Sequence, residues 1–389
     1  MRNQLFTMAV AVMPACGSEG GPVTLPVFKT GDRHLRCRWC VRLAHASANS
    51  CVPEAELSQL NRREFLLRTG GMMAVTSVSG GLPSILSATD KTAAPPWKSP
   101  FRVAVITDEI SQDFDHACSA AAREFGMQWV ELRGLWNKNL MSLTSSEIAD
   151  AQAILKKYQL RVTDIASPLF KVDWPGAPTS KYSPKRDQFK ADFGYDQQPE
   201  VLEKCIEAAK AFQTDRVRGF DFWRLDDQAL YRKAINAKLQ EAAAQLSKHK
   251  LIFLLENEMT CNTATGAEAA KTLAAVQSPN FMLNWDPGNA AALGEVPYPN
   301  GWDLLPKNRI GHCHCKDVAM KSGGEGYEWM PVGKGIINWV GQFEAMKKAG
   351  YKLGVSLETH WQGAGTPEES SRQSWAGMKA DLQKAGALS

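Results

Sequence analysis

The chain predicts an α/β fold, one (β/α)8 TIM barrel over 101–389, and three observations lead there. From residue 101 onward, short apolar runs alternate with longer stretches of helical periodicity, the order in which βα units build a parallel sheet. Eight such runs fall within roughly 285 residues, the size of a single closed barrel. The turn after the first run, Thr107-Asp108-Glu109-Ile110-Ser111, holds no glycine, whereas a doubly wound open sheet places a glycine-rich phosphate-binding turn there.

Taken in order, strands are expected over 102–107, 129–133, 161–166, 216–222, 251–256, 281–285, 309–315 and 354–358. Helical periodicity occupies 115–125, 145–158, 199–212, 227–248, 265–276 and 336–349 between them, and 367–385 after the last strand. The link over 288–307 reads as loop or as only briefly helical.

Ahead of the barrel the pattern changes. Residues 1–60 carry scattered Gly, Pro, Arg and Cys without sustained periodicity and are expected to be an unstructured extension. Residues 61–94 resemble a twin-arginine export signal: Arg62 and Arg63, Phe65 after one spacer, then a weakly apolar run rich in Gly, Ser and Ala. Asn61 before the arginines, Leu67 where lysine is common and the long preceding segment depart from that pattern. The alternative is an amphipathic helix with a basic start. The signal implies a periplasmic or exported protein cleaved between 88 and 94, with 95–100 as a proline-containing linker.

Composition excludes several classes. The 389 residues are 44% hydrophobic and 22% charged with a net charge of +4. Arginines crowd the first seventy residues and stripe no later helix, so no nucleic-acid partner is expected. No apolar run approaches the ~18 residues of a membrane span, so none is expected in the mature form. Cys37-Arg-Trp-Cys40 has metal or redox spacing but lacks a second ligand pair. The five cysteines after residue 60 are an odd number and read as small buried fillers.

The chemistry gathers at the strand ends. In the seventh strand, alternation places His312 and His314 on one face and Cys313 and Cys315 on the other, with Lys316 and Asp317 just past its carboxyl end. The fifth ends in Leu254-Leu255-Glu256-Asn257-Glu258, the sixth in Asn284-Trp285-Asp286-Pro287-Gly288-Asn289, and the eighth in Ser356-Leu357-Glu358-Thr359-His360. In a barrel all of these reach one rim. So many carboxylates around a buried rim repel one another unless a cation joins them. One divalent ion answers this. A set of mostly oxygen donors with one nitrogen suits Mn²⁺, Mg²⁺ or Co²⁺, with Zn²⁺ still open.

Together, in order and at βα spacing, Leu255-Glu256-Asn257, Asp286-Pro287-Gly288-Asn289, His312-Cys313-His314-Cys315-Lys316-Asp317 and Leu357-Glu358 resemble the motifs of the sugar isomerase/epimerase superfamily with the xylose-isomerase-like barrel. That superfamily includes tagatose-type 3-epimerases, inosose dehydratases and endonuclease-IV-like enzymes. The resemblance covers about 101–385 and implies that Glu256, Asp286, His314 and Glu358 hold the metal. Glu258 and Asn289 depart from it, standing where many members carry histidine.

The ligand set implies a Lewis-acid mechanism on a small keto-sugar, polyol or related carbohydrate through an enediolate, with Glu256 and Glu358 as acid/base pair. Proton return to the opposite face is epimerisation, and return to the neighbouring carbon is isomerisation. Loss of a β-oxygen, as in a dehydratase or a 3-keto-glycoside-cleaving lyase, is the alternative, with Lys316 or His360 as proton donor. An endonuclease-IV-like phosphodiesterase and a non-catalytic sugar-binding barrel are further alternatives, and few histidines argue against the former. Lys316 is a catalytic candidate as electrostatic partner of the enediolate, or an ordinary salt-bridged lysine. Substrate-binding candidates are Glu131, Arg133, His312, Asn289 and His360. Glu131 and Arg133 also read as a rim ion pair, and His312 as packing behind the ligands. His116 and His249 fall in helical stretches as surface residues. Trp136, Trp174, Trp223, Trp329 and Trp361 follow strands, where a ring stacks on a sugar or packs. An exported enzyme implies a non-phosphorylated substrate, and a homo-oligomer remains open.

Overall fold

The computed structural model describes residues 97–183, 189–323 and 326–389. The expected extension, the export signal with Arg62 and Arg63, and the Cys37–Cys40 pair lie outside the described residues. Among those described, no helix is long and apolar enough to cross a membrane.

Eight parallel strands make the barrel: β1 (Arg102–Val105), β2 (Trp129–Leu132), β3 (Arg161–Ala166), β4 (Arg216–Gly219), β5 (Ile252–Glu256), β6 (Phe281–Trp285), β7 (Ile310–Cys315) and β8 (Gly354–Leu357). They pair in the order β1-β8-β7-β6-β5-β4-β3-β2, and a bridge from Ile106 to Glu131 returns β2 to β1. The expected strands match to within a few residues. The largest difference is β4, which stops at Gly219 because Phe220 and Phe222 donate their N–H groups to Leu169 and Phe170 in the preceding βα loop.

Helices follow the strands as expected: α1 (Phe114–Ser119), α2 (Ser145–Tyr158), α3 (Gln198–Ala211), α4 (Gln228–Lys248), α5 (Gly266–Ala275), α6 (Pro287–Ala292), α7 (Trp339–Lys348) and α8 (Pro367–Lys384). Their starts are set by local chemistry. Capping boxes Thr144–Glu147 and Thr265–Glu268 open α2 and α5, and Asn338 caps α7, which therefore begins later than residue 336. Expected as one helix, 115–125 divides into α1 and a wider turn over Ala120–Glu124.

Strand alternation separates two environments. Phe253 and Leu255 of β5, Cys313 and Cys315 of β7 and Leu357 of β8 enter one large apolar layer with the helices. Cys118, Cys205, Cys261, Cys313 and Cys315 are free thiols, all buried, in keeping with the expected filler role.

Two register slips shape the other face. β6 and β7 pair Leu283 with Ile310 but Asn284 with His312, leaving Gly311 as an extra residue. Glycine suits that position, since a Cβ would come within 2.5 Å of Leu254 and 3.0 Å of Met282. Opposite Glu131, β2 and β3 pair Val130 with Val162 but Leu132 with Ile165. Bulges re-aim side chains beside active sites, and both slips adjoin residues that touch His314.

Candidate metal centre

Four side chains from successive strand ends converge at the top of the barrel. Glu256 ends β5, Asp286 follows β6, His314 is the fifth residue of β7 and Glu358 follows β8. Each is buried and offers a ligand atom, and these atoms lie within 4.8 Å of one another. His314 Nδ1 faces all three carboxylates, at 3.3 Å from Glu256 Oε1, 3.6 Å from Asp286 Oδ2 and 3.2 Å from Glu358 Oε2.

Local structure aims each group. Asp286 caps α6, with Oδ1 accepting from Asn289 N at 2.9 Å, which leaves Oδ2 pointing at the cluster. Asn257 ties the ends of β5 and β6, accepting from Asp286 N at 2.7 Å and donating to Asp286 O at 2.8 Å. Asn289 Nδ2 donates to Glu256 Oε1 at 3.3 Å. Buried Asp286 Oδ2 and Glu256 Oε2 make no well-formed hydrogen bond and face only the charges of Lys316 and Arg218, so each keeps a lone pair that a metal ion would take up. Three carboxylates and one imidazole with such atoms fit a divalent ion.

A second layer lies beneath. Glu131 sits between the two imidazoles, 3.0 Å from His314 Nε2 and 3.0 Å from His312 Nε2. A carboxylate on the far nitrogen of a ligand histidine fixes the ring and its tautomer. His312 also meets Ser356 Oγ at 2.9 Å and Asp164 at 3.4 Å. Its ring occupies the space above Gly354, where a Cβ would meet Nδ1 at 2.3 Å.

Charges are interleaved throughout. Burial disfavours the charge of Glu256, but Arg218, with Nη1 at 3.0 Å, and His314 outweigh it and bring the carboxyl to about 2. Burial likewise opposes Glu358, yet Lys316, His360 and His314 hold it well below the usual range. At Asp286 burial prevails over Lys316 and the carboxyl is raised. Against its own burial, His314 is raised well above an ordinary imidazole by Glu131, Glu358 and Glu256.

Residues 119–380 match the family model described as the xylose isomerase-like TIM barrel. The chain belongs to that family. A protein of Escherichia coli (strain K12), provisionally named an L-ribulose-5-phosphate 3-epimerase, is 26% identical over 193 residues, 48% of this chain and 66% of its own length. The chain thus spans just under two thirds of that relative. The probable 3-DHS dehydratase AsbF from Bacillus anthracis superposes with a TM-score of 0.54 at 19% identity, covering 72% of this chain and 98% of that one. A xylose isomerase-like TIM barrel protein from Mycobacterium smegmatis in complex with magnesium gives 0.53 at 14%, covering 74% and 98%. At those identities the likeness is one of fold.

Within this xylose isomerase-like barrel the remaining site candidates separate by depth. Lys316 Nζ lies 2.7 Å from both Asp286 Oδ2 and Glu358 Oε2, its stem passing over Gly288, where a Cβ would meet Cγ at 2.5 Å. Arg133 and His360 border the cluster, 3.4 and 3.2 Å from Glu358 Oε1. Glu131 and His312 lie below it instead, and Glu131 does not pair with Arg133, whose partners are Asp108, Glu109 and Glu358. Glu258 stands outside the cluster, paired with Lys171 at 3.5 Å. Trp329 packs on His360 with ring centroids 4.8 Å apart, Trp174 packs edge-on against Phe222, and Trp223 is fully buried. His116 is a surface residue bonded to Glu368 at 3.0 Å. Asn257 stands in the Leu255-Glu256-Asn257 motif without a role having been assigned to it, and Arg218, Asn284 and Asp164 carry no motif that singles them out. Of these, Arg218 had one usable signal, an arginine inside a short apolar strand.

Proposed function

We propose that this barrel is a divalent-metal-dependent epimerase or isomerase of a small keto-sugar or related carbohydrate, working through an enediolate. One observation carries the proposal: the convergence of Glu256, Asp286, His314 and Glu358 on His314 Nδ1 at the carboxyl ends of four successive strands, where barrels of this kind hold their chemistry. The relative named for 3-epimerisation and the fold neighbour holding magnesium point the same way. These four residues would hold the ion, which supplies positive charge against which an oxyanion develops on the substrate.

The protein's own groups then move the proton. Glu256 and Glu358 stay ionised at neutral pH, as a base must, and approach from β5 and β8. One takes the proton from the carbon beside the carbonyl, and the opposite face receives a proton drawn from solvent through the other carboxylate. Lys316 stabilises the developing negative charge from beside Asp286 and Glu358. Asn289, from its bond to Glu256, and His360, from its bond to Glu358, are placed to orient substrate hydroxyls as well as the two carboxylates.

Elimination is the second reading, favoured by His360 and Lys316, two proton donors both in contact with Glu358. One experiment addresses both. Protein purified with its metal and incubated with keto-sugars in deuterated water is expected to wash deuterium into the carbon beside the carbonyl and to form an epimer or isomer. Loss of water or of an aglycone would replace this reading with the lyase, and metal-loaded protein that exchanges with no carbonyl sugar would overturn both.

A further inference from the structure

Four permanent cations stand at the described strand ends, and each already has a carboxylate. Arg133 Nε lies 3.1 Å from Asp108 and Nη2 2.6 Å from Glu109. Arg218 faces Glu256, and Lys316 bridges Asp286 and Glu358. Lys171 is the most informative. Its ammonium is buried over the rings of Phe189, Phe220 and Trp223, with centroids 4.1, 4.7 and 5.6 Å away. A lone ammonium in such an apolar cage would be a strong anchor for an anion.

Glu258 removes that option. Its Oε2 is 3.5 Å from Lys171 Nζ, while Oε1 accepts from Thr260 N at 3.2 Å and Thr260 Oγ1 at 3.1 Å, so the carboxylate is held in place. Lys171 and Arg218 lie over the same two rings, Phe189 and Phe220, so the Lys171–Glu258 pair stands next to the arginine that meets Glu256. Among the described residues, six rim carboxylates, Asp108, Glu109, Glu256, Glu258, Asp286 and Glu358, thus face four permanent cations, an excess of two negative charges that one divalent ion would balance. A phosphate would add negative charge to a rim whose four named cations each already face a carboxylate. Asn289 Oδ1 is an unpartnered acceptor that takes a hydrogen bond from a hydroxyl and none from a phosphate dianion, while Arg218 Nε and Nη2 donate to either.

We infer that the site takes an uncharged polyhydroxy ligand and rejects its phosphate ester, with Glu258 as the specificity-determining residue that withholds Lys171 from an anion. This rests on the carbohydrate reading above and sets the chain apart from its relative named for a 5-phosphate.

The test uses the full chain loaded with Mn²⁺. Deuterium exchange into L-ribulose and D-fructose is compared with exchange into their 5- and 6-phosphates. The neutral sugars are expected to lead by about 100-fold in kcat/KM, the scale of like-charge rejection. Phosphates that exchange as well or better overturn the inference while the epimerase reading stands. Exchange with neither overturns that reading, and calorimetric binding of ribitol against ribitol 5-phosphate then decides: tighter ribitol supports the inference, and tighter phosphate overturns it. In Glu258→Gln, the phosphate-to-neutral ratio is expected to rise about tenfold as Lys171 is released. An unchanged ratio removes Glu258 from the role.

Discussion

One strand, β7, shows two different interiors on its two faces. Cys313 and Cys315 point into the apolar layer under the helices, where packing alone decides what fits. His312 and His314 point the other way, into a space shared with Glu131, Asp164, Glu256, Asp286 and Glu358. Burying charge there opposes folding unless every group is paired, so the apolar face must stabilise what the polar face costs. The proposed site occupies the side that does not help the barrel fold.

The contrast is best broken at Glu358. Glu358→Gln keeps shape but removes a carboxylate, so deuterium exchange should fall by about 10³-fold, the middle of the range for a lost acid or base. Circular dichroism should remain native, and a variant with wild-type exchange would clear Glu358 of the chemistry. The opposite face should answer in stability. Phe253→Ala, in the apolar layer of β5, should cost about 3–5 kcal/mol in denaturant unfolding yet leave one bound metal per chain. Loss of metal at equal folding would show that the two faces are not independent.

Two smaller effects sharpen the picture. Glu131→Gln leaves both imidazoles with a weaker partner and should reduce metal affinity by about 10- to 100-fold, read by competition with a chelator. A strong gain in affinity would count against its orienting role. Because His314 in the absence of an ion is raised well above 6.5 by its carboxylates, an ion must displace its proton. Loading should therefore strengthen as pH rises and weaken as it falls, by about tenfold per pH unit for one proton displaced. Affinity independent of pH between 6 and 8 would contradict this.

Much of this was legible in the chain because it is local. Period-2 and period-3.6 patterns depend on neighbours a few residues apart, so α2, β3 and β6 were expected at their observed bounds. That acidic strand ends and an imidazole would share one rim was legible for a related reason, since a βα repeat delivers every strand's carboxyl end to the same side; the choice of Glu256, Asp286, His314 and Glu358 among them came from the resemblance. Substrate contacts were less so. Glu131 was expected at a substrate or in a rim ion pair, and His312 at a substrate or packed behind the ligands; Glu131 lies between the two imidazoles, and His312 meets Glu131 and Asp164 behind His314.

The sequence by itself determined the alternation of strands and helices, the helix caps and the acidic strand ends, since each is encoded over a few consecutive residues. Only the tertiary structure decided that Gly311 is a bulge, that Glu131 lies between two imidazoles 181 and 183 residues away, and that Arg218 and Lys171 are spent on Glu256 and Glu258. Those pairings depend on the register between strands distant in the chain and on which charges burial forces together, and no local pattern carries either.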